Sequence, residues 1–414
     1  MEAIIISIGD ELLIGQVQNT NASHISAELT AVGIQVRQVY TIADNKADIL
    51  ETLDIASNHG DVIICTGGLG PTKDDITRDA LCTYFNCGIK TDTTALADIT
   101  RIFAGRDLGL TELNRKQADI PSASTALRNE VGTAPGMWFS KGDKDFFFMP
   151  GVPFEMKKML EEQIIPQLKK RAGGIHIIYR TVLTMGMGES FLSERLSEWE
   201  SSLPQHIKLA WLPDAGIVKL RLTASGTDKK FLEDGISQHI EKLQKIIPEL
   251  IFGYDGDTLQ SIIGKLLLKR NMTVATAESC TGGRIAHLIT SVPGSSAYFT
   301  GSVVAYDNAV KTGILGVQED TIIEQGAVSE AVVMQMAEGV KQLFKTDFAV
   351  ATSGIAGPSG ATEGKPVGTT WIAVAGPEET IAIRVQFGDN RGRNISRASL
   401  YALNLLRKNI IKIF

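Results

Sequence analysis

The stretches Ala3–Ile8 (AIIISI) and Asp61–Thr66 (DVIICT) are strand-length runs that stay apolar or small almost throughout. A sheet with one wet face alternates apolar and polar residues, so unbroken runs mark strands covered on both faces. Between them lie segments of helical spacing over about 20–32 and 46–58, separated by a strand at Ile34–Thr41. Strands that alternate with helices build βαβ units, which predicts a parallel sheet buried between helical layers. The unit is expected to close with a strand at Phe146–Met149, the turn Pro150-Gly151-Val152-Pro153 and a helix to about residue 171.

A chain of 414 residues is too long for one ordinary core, which predicts two or three domains. Arg171-Ala172-Gly173-Gly174 reads as a linker. Beyond it, strands are expected over 176–185, 207–212 and 216–225, with helices over 189–200 and 228–246. This βαββα order resembles a type II KH module. A third unit starts near Ile251 with a helix over 257–270, and strands and helices alternate to a final helix over about 392–411. The expected fold class is α/β: two three-layer α/β domains, 1–172 and 251–414, joined by a small KH-like α+β domain, 173–250. The chain shows no short repeat or low-complexity tract.

With 43% hydrophobic and 21% charged residues, the composition is that of a soluble globular protein. A formal net charge of −6 argues against a general nucleic-acid binder. KH modules hold single strands through a GXXG loop, but the nearest turn here, Met185-Gly186-Met187-Gly188-Glu189, has the wrong spacing and ends on an acid. Residues 173–250 carry nine Lys/Arg and ten Asp/Glu, a net of −1. Phosphate binding needs a positive face, so the segment is expected to be a spacer or a dimerisation element. The four cysteines contain no CxxC pair and make no disulfide framework. The opening MEAIIISIGDELLIG lacks a basic lead, and no apolar run reaches the length of a membrane span. A cytoplasmic protein with no membrane partner is the expectation.

Forty glycines cluster in a few turns. Thr66-Gly67-Gly68-Leu69-Gly70-Pro71-Thr72 directly follows a buried strand. Its glycines let backbone N–H groups approach a ligand, and the helix expected near Asp75 adds its positive dipole end, so the turn can cradle phosphate. Asp74 and Asp75 would repel that ligand unless a divalent cation such as Mg²⁺ lies between. The alternative is that both only cap the helix. A second turn, Gly132-Thr133-Ala134-Pro135-Gly136, and the opening Gly9-Asp10-Glu11 with Asn19, Thr20 and Asn21 sit at other strand ends, which converge on one crevice in α/β sheets.

The stretches GDELLIGQVQNTN, TGGLGPTKDDIT, NRKQADIP, GTAPG and MPGVPFEM occur in that order along the first unit. Together they resemble the molybdopterin-binding, MoaB/MogA-like superfamily, in the version found at the start of CinA proteins. The resemblance implies metal-dependent pyrophosphate hydrolysis with ADP-ribose as the substrate type. It puts phosphate at Gly9, Glu11, Asn21, Gly67, Gly68, Leu69, Gly70, Gly132, Thr133, Pro135 and Gly136, and the metal at Asp74 and Asp75. Asn114 and Lys116 match the same motif, without a role that their chemistry alone assigns.

In the third unit, Ala277-Glu278-Ser279-Cys280-Thr281-Gly282-Gly283 (AESCTGG) sets three possible nucleophiles at a strand-to-helix turn. A hydroxyl nucleophile needs a proton acceptor. Of six histidines only His287 lies beyond Ser279. In a helix starting at Thr281, the stripe Ile285, Leu288, Ile289 and Val292 is buried and His287 points away, which speaks against a Ser-His pair. A lysine with a pKa lowered by burial is the remaining neutral base. Gly301–Tyr306 reads as the next strand and Asp307–Lys311 as the start of a helix, returning Tyr306 and Lys311 to the same sheet edge. A surface lysine is the alternative.

AESCTGG, GSVVAYDNAVK, GAVSEAVVMQMAEGV, TSGIAGPSG, KPVGTTWIAV and FGDNR follow in order along this unit. They resemble the C-terminal CinA domain, the PncC-like nicotinamide-nucleotide amidase family. The resemblance implies hydrolysis of nicotinamide mononucleotide to nicotinic acid mononucleotide and ammonia, with no metal cofactor. It makes Ser279 the nucleophile, Lys311 its base and Tyr306 the matching tyrosine. Substrate contacts fall on Thr281, Gly282, Gly283, Thr352, Gly354, Ala356, Gly357 and Arg391. Where the family often reads GDR, this chain has Gly388-Asp389-Asn390-Arg391-Gly392-Arg393. Arg391 and Arg393 both remain candidates, with Arg391 preferred. The oxyanion is expected on backbone N–H groups near Cys280 and Thr281, with Cys280 a packing residue and Thr281 an N-cap. Two rival readings are a nucleotide-sensing third unit and an adaptor in DNA uptake or repair; the acidic balance weighs against direct DNA contact. A homodimer is implied by resemblance alone.

Overall fold

The computed structural model describes residues 1–70, 76–104, 110–171 and 173–412. Two compact units emerge, one of Met1–Ile178 with Ala224–Asp234, the other of Tyr179–Thr223 with Gly235–Phe414.

In the first unit, the strands are β1 (Glu2–Ile8), β2 (Gln35–Ile42), β3 (Val62–Thr66), β4 (Ile89–Thr91), β5 (Asp119–Pro121), β6 (Thr125–Leu127), β7 (Gly136–Lys141) and β8 (Lys144–Met149). Its main helices are α1 (Asp10–Leu13), α2 (Thr20–Ala31), α3 (Lys46–His59), α4 (Thr77–Tyr84), α5 (Thr93–Phe103), α6 (Glu112–Arg115), α7 (Pro153–Met159) and α8 (Ile165–Arg171). Six strands form one sheet in the order β2-β1-β3-β8-β7-β6. The β1 strand lies parallel to both β2 and β3, and β3 lies parallel to β8. Along each buried strand, alternate residues face opposite helical layers. Ile5, Ile64 and Phe147 pack with Leu29 of α2 and Met156 of α7. Ile4, Ile6, Ile63 and Phe146 pack with Leu53 of α3 and Leu81 of α4. This is the three-layer arrangement that the apolar runs imply.

The sheet is mixed rather than wholly parallel, because β7 pairs antiparallel with both β6 and β8. The cause is covalent. Only Gly142 and Asp143 separate β7 from β8, with Gly142 at φ +66°, and a parallel crossover needs a connection of a dozen residues or more.

The middle segment runs β9 (His176–Met185), α9 (Glu189–Ser201), β10 (Ile207–Asp214), β11 (Ile217–Gly226), α10 (Lys229–Ile246) and β12 (Ile251–Tyr254). Its four-stranded sheet has the order β10-β11-β9-β12, and its first five elements keep the expected βαββα order.

The last segment contains α11 (Leu259–Arg270), β13 (Val274–Glu278), α12 (Arg284–Thr290), β14 (Phe299–Val304), α13 (Asn308–Gly313), α14 (Glu319–Gln325), α15 (Glu330–Phe344), β15 (Phe348–Gly354), β16 (Thr369–Ala375), β17 (Thr380–Gln386) and α16 (Arg391–Lys412). The sheet order is β14-β13-β15-β16-β17. Only the pairs around β13 are parallel; β16 pairs antiparallel with β15 and with β17. One face of this sheet offers Ala275, Ala277, Ala349, Ala351, Ala373 and Ala375 to α15. Side chains that small let the helix lie close to the strands. The other face offers Val274, Phe348, Val350, Ile372 and Val374 beneath α11, α12 and α16.

Among the described residues, no helix is long and apolar enough to cross a membrane. Tyr298 is buried in the larger-residue layer, and its hydroxyl has no hydrogen-bond partner among them. A buried unpaired hydroxyl costs free energy without returning a bond. Tyr298→Phe is therefore expected to hold or raise the denaturant midpoint, by up to about 1 kcal/mol in stability. A clear fall in the midpoint would contradict the unpaired hydroxyl.

Candidate active site

Strand β13 lies between β14 and β15, and every one of its residues is buried. It ends on Glu278, whose side chain is 0% exposed. A carboxylate there needs partners, and the backbone supplies them. Oε2 accepts from the N–H groups of Gly283 and Ile285, each at 3.0 Å, and Oε1 accepts from Ala286 N–H at 2.8 Å. These are donors that a helix start leaves unpaired, so Glu278 caps α12 from inside the sheet.

This corrects the expected helix start. Helix α12 begins at Arg284 rather than Thr281, and Thr281 does not cap it. Instead Thr281 Oγ1 shares a 2.8 Å hydrogen bond with Thr352 Oγ1. Gly282 and Gly283 stand at φ +59° and +92°, where a Cβ would strain the chain, so the glycine pair is required by the turn. Ser279 N–H donates to the Thr352 carbonyl at 3.0 Å, and Gly282 N–H donates to the Ser279 carbonyl at 3.2 Å. Among the described residues, no acceptor from another residue is paired with the N–H groups of Cys280 and Thr281. Thr281 N–H thus has no acceptor among the described residues, and Cys280 N–H meets only its own thiol.

Of the expected stripe, Ile285 and Ile289 are buried, Leu288 is half-buried, and Val292 is half-buried beyond the helix end, while His287 is exposed. The alternative of a surface lysine fails: Lys311 is 2% exposed, in α13. Its Nζ donates to the Tyr306 carbonyl at 3.3 Å and forms no ion pair among the described residues. Burial lowers its pKa from the ordinary lysine value, and Asp307 and Cys280 oppose the shift. The Cys280 thiol is pushed up to about 12, by burial first, with Lys311 and Thr352 close enough to act on it. Cys280 is thus a neutral, buried thiol. No hydrogen bond joins Ser279 to Lys311 among the described residues; the loop and the lysine share the carboxyl edge of adjacent strands β13 and β14.

Tyr306 is 63% exposed. Its hydroxyl accepts from Arg391 Nη2 at 3.1 Å, while Arg391 Nη1 donates to the Gly357 carbonyl at 2.9 Å. Arg391 therefore ties the tyrosine to the Gly354–Gly357 turn. Among the described residues Arg393 makes no such contact: its backbone N–H bonds the Asn390 side chain. Gly354 lies where a Cβ would stand 2.7 Å from Thr370 Oγ1, and Gly357 is at φ +87°. Asn394, buried and missed from sequence, donates to the carbonyls of Ala356 and Gly388 at 3.0 and 2.8 Å. An interior asparagine one turn into a helix gives no sequence signal of that task.

The first unit holds a cavity of about 430 Å³ at the strand ends. Gly9, Glu11, Asn21, Gly67, Gly68, Leu69, Gly70 and Thr133 line it. Asn114, Lys116, Gly132, Pro135 and Gly136 do not. Gly136 is a packing glycine, where a Cβ would meet Met159 Sδ at 2.3 Å. A Cβ on Gly132 would meet the Glu155 carboxylate, which does line the cavity. Gly67 is at φ +110°, and its Cβ would stand 2.0 Å from the Ile8 carbonyl oxygen, so the turn and the β1 end meet backbone to backbone. Arg78, also unforeseen, donates to the carbonyls of Leu69 and Gly70 at 3.2 and 3.1 Å and to that of Lys116 at 2.9 Å. Asn21 donates to the Gly151 carbonyl at 2.8 Å, and its buried Oδ1 has no partner among the described residues.

Asp74 and Asp75 lie outside the described residues. Glu11, Asp44 and Glu155 line the cavity and are hard oxygen donors of the kind Mg²⁺ takes. The described residues form no preformed three-ligand cluster there; the one such group among them is His24, Glu28 and Glu161.

Residues 4–170 match the family described as a probable molybdopterin binding domain, 179–253 the damage-inducible protein CinA KH domain, and 256–410 the CinA C-terminal domain. A CinA-like protein of Flavobacterium psychrophilum is 45% identical over 100% of this chain and 99% of its own. Another, of Cytophaga hutchinsonii, is 46% identical over 99% of this chain and 98% of its own. A crystal structure of a competence-damaged protein (CinA) superfamily member from Klebsiella pneumoniae covers 37% of this chain and 96% of its own, at 31% identity and a TM-score of 0.36. The chain belongs to the CinA-like family, as the motif order implies.

The Glu278 cap is open to test. In Glu278→Gln the amide NH₂ would face a backbone donor and the charge at the helix start would be lost. Stability should drop by about 1–3 kcal/mol, read as a lower denaturant midpoint. An unchanged midpoint would mean that the three bonds do not hold the turn.

Proposed function

We propose that the protein is a cytoplasmic hydrolase of pyridine nucleotides, and that its C-terminal domain deamidates nicotinamide mononucleotide through Ser279 and Lys311. The observation that carries this reading is a buried lysine that forms no ion pair among the described residues, at the strand edge that also carries Ser279 and two N–H groups not paired to another residue. Burial outweighs the opposing charge of Asp307 and favours the neutral amine, which is the form a base requires.

Neutral Lys311 takes the proton from Ser279 Oγ as that oxygen attacks the carboxamide carbon. The carbonyl oxygen becomes an oxyanion held by the N–H groups of Cys280 and Thr281. Protonated Lys311, directly or with Tyr306 as relay, returns a proton to the leaving nitrogen, and ammonia departs. Water then attacks the acyl-enzyme and gives a proton to Lys311, which passes it to Ser279 Oγ as the acid leaves. Arg391 would meet the nucleotide phosphate or the pyridine-side charge. None of these steps calls for a metal.

Ser279→Ala and Lys311→Ala should each lower ammonia release from nicotinamide mononucleotide by about 10³-fold or more, while Cys280→Ala keeps most of it. Full activity in Ser279→Ala would sink the mechanism. Because the active form of Lys311 is deprotonated, the rate should rise with pH through the lysine pKa and then level. Burial puts that midpoint below the ordinary lysine value. A rate that falls over that limb would remove Lys311 as base.

For the N-terminal domain the proposal is metal-dependent hydrolysis of the ADP-ribose pyrophosphate. A bound divalent cation would neutralise phosphate charge and polarise the attacked phosphorus. Glu11, Asp44 and Glu155, with Asp74 and Asp75, are the carboxylates available to hold it. The Gly67–Gly70 turn would take phosphate oxygens, and Asn21 would fix the β1 side of the ligand. The KH-like segment is proposed to act as a spacer or within a homodimer, not as a nucleic-acid site. Treatment with EDTA should abolish phosphate-ester release from ADP-ribose and leave ammonia release from nicotinamide mononucleotide intact. Equal loss of both would refute the division of chemistry between the domains.

A further inference from the structure

Helix α4 ends in a cap that folds the chain back over its last turn. Asn86 N–H donates to the Thr83 carbonyl at 3.3 Å, and Cys87 N–H donates to the Cys82 carbonyl at 3.0 Å. Asn86, between them, is left-handed at φ +48°. Two nested bonds around one left-handed residue make a Schellman cap, in which the residue just past the turn packs against the residue three from the helix end. That contact is ordinarily apolar. Here both of its positions are cysteines, Cys87 and Cys82.

Further observations agree with a thiol pair. Cys82 Sγ lies 3.7 Å from the Gly88 carbonyl oxygen, which draws it toward the chain beyond the turn. The Cys82 thiol is pushed above its ordinary value, by burial first and then by the charge and hydrogen bond of Cys87. Both cysteines are free and half-buried, whereas Cys65 and Cys280 are buried. A C-x₄-C spacing gives no signal in sequence, because only the left-handed turn at Asn86 brings the two side chains together. Among the described residues, no His, Asp, Glu or third Cys stands close enough to complete a three-ligand metal site with them.

We propose that Cys82 and Cys87 are a redox pair that closes to an intramolecular disulfide when the protein meets a peroxide. The Cys87 thiolate attacks one peroxide oxygen and the O–O bond breaks. This gives a sulfenic acid on Cys87 and, after protonation, one water. The Cys82 sulfur then attacks the sulfenic sulfur; the S–O bond breaks, the S–S bond forms and a second water leaves. Two thiol hydrogens and one hydrogen peroxide thus become two waters and one disulfide. The bond would tie down the last turn of the helix whose Arg78 holds the Leu69–Gly70 carbonyls.

The test uses the reduced full-length chain with hydrogen peroxide, followed by denaturing alkylation and peptide mass mapping. Alkylatable thiols should fall from the four of the sequence to two, with a linked Cys82–Cys87 species lighter by two hydrogens and fully restored by dithiothreitol. Cys82→Ser and Cys87→Ser should each abolish that species, and in Cys82→Ser the sulfenic acid on Cys87 should become trappable. Four retained thiols, irreversible sulfinic acid on either residue in the unmutated chain, or disulfides between molecules would each overturn the proposal. The wild-type mass map decides the matter even if a variant folds poorly.

Discussion

The turn that follows β13 in the last domain depends on one buried carboxylate. Glu278 closes the central strand, and its two oxygens gather three amides from the start of α12. Burying a carboxylate is costly unless its charge is fully hydrogen-bonded, and the helix start supplies donors that otherwise lack partners. The two needs answer each other. Once Gly283, Ile285 and Ala286 point at Glu278, the loop from Ser279 to Gly282 has to bulge. The left-handed glycines take up the bend, and Ser279 opens the loop directly after the strand.

Most of the architecture was legible because burial on both faces leaves a plain mark in sequence. Ala3–Ile8 and Asp61–Thr66 became β1 and β3, and the middle-domain elements fell within about two residues of their expected bounds. The antiparallel halves of both large sheets were less visible. Strand direction is set by loop length and not by strand composition, and a two-residue link at Gly142-Asp143 allows only a hairpin.

Within the sites, residues on short motifs were easier to place than those that act across the fold. Lys311 could be assigned to the sheet edge by spacing, but its burial depends on how α13 packs. Glu278 sat inside the quoted motif without a task, since a strand-end acid reads as solvated until the helix start is seen above it. Arg78 and Asn394 hold loops by reaching carbonyls distant in sequence, and no local pattern marks that work. Gly136 was taken with a ligand turn, yet it serves the close approach of Met159. A glycine motif alone does not distinguish contact with a ligand from contact with a side chain.

The two glycine turns solve related problems with opposite charges. At the first, a cation braces the turn: Arg78 holds carbonyl oxygens of Leu69 and Gly70. Gly67 N–H is spent on Met149, while the N–H groups of Gly68 and Leu69 have no paired acceptor among the described residues. At the second, an anion braces the turn: Glu278 takes three N–H groups, and those of Cys280 and Thr281 have no acceptor from another residue among the described residues. A brace on carbonyls adds positive charge near the turn and suits a ligand with several anionic oxygens. A brace on amides adds a buried negative charge, which disfavours a standing anion but still leaves two donors for one transient oxyanion. The sign of the bracing residue therefore separates a turn that suits a standing anion from one that disfavours it, although both begin as a buried strand running into paired glycines.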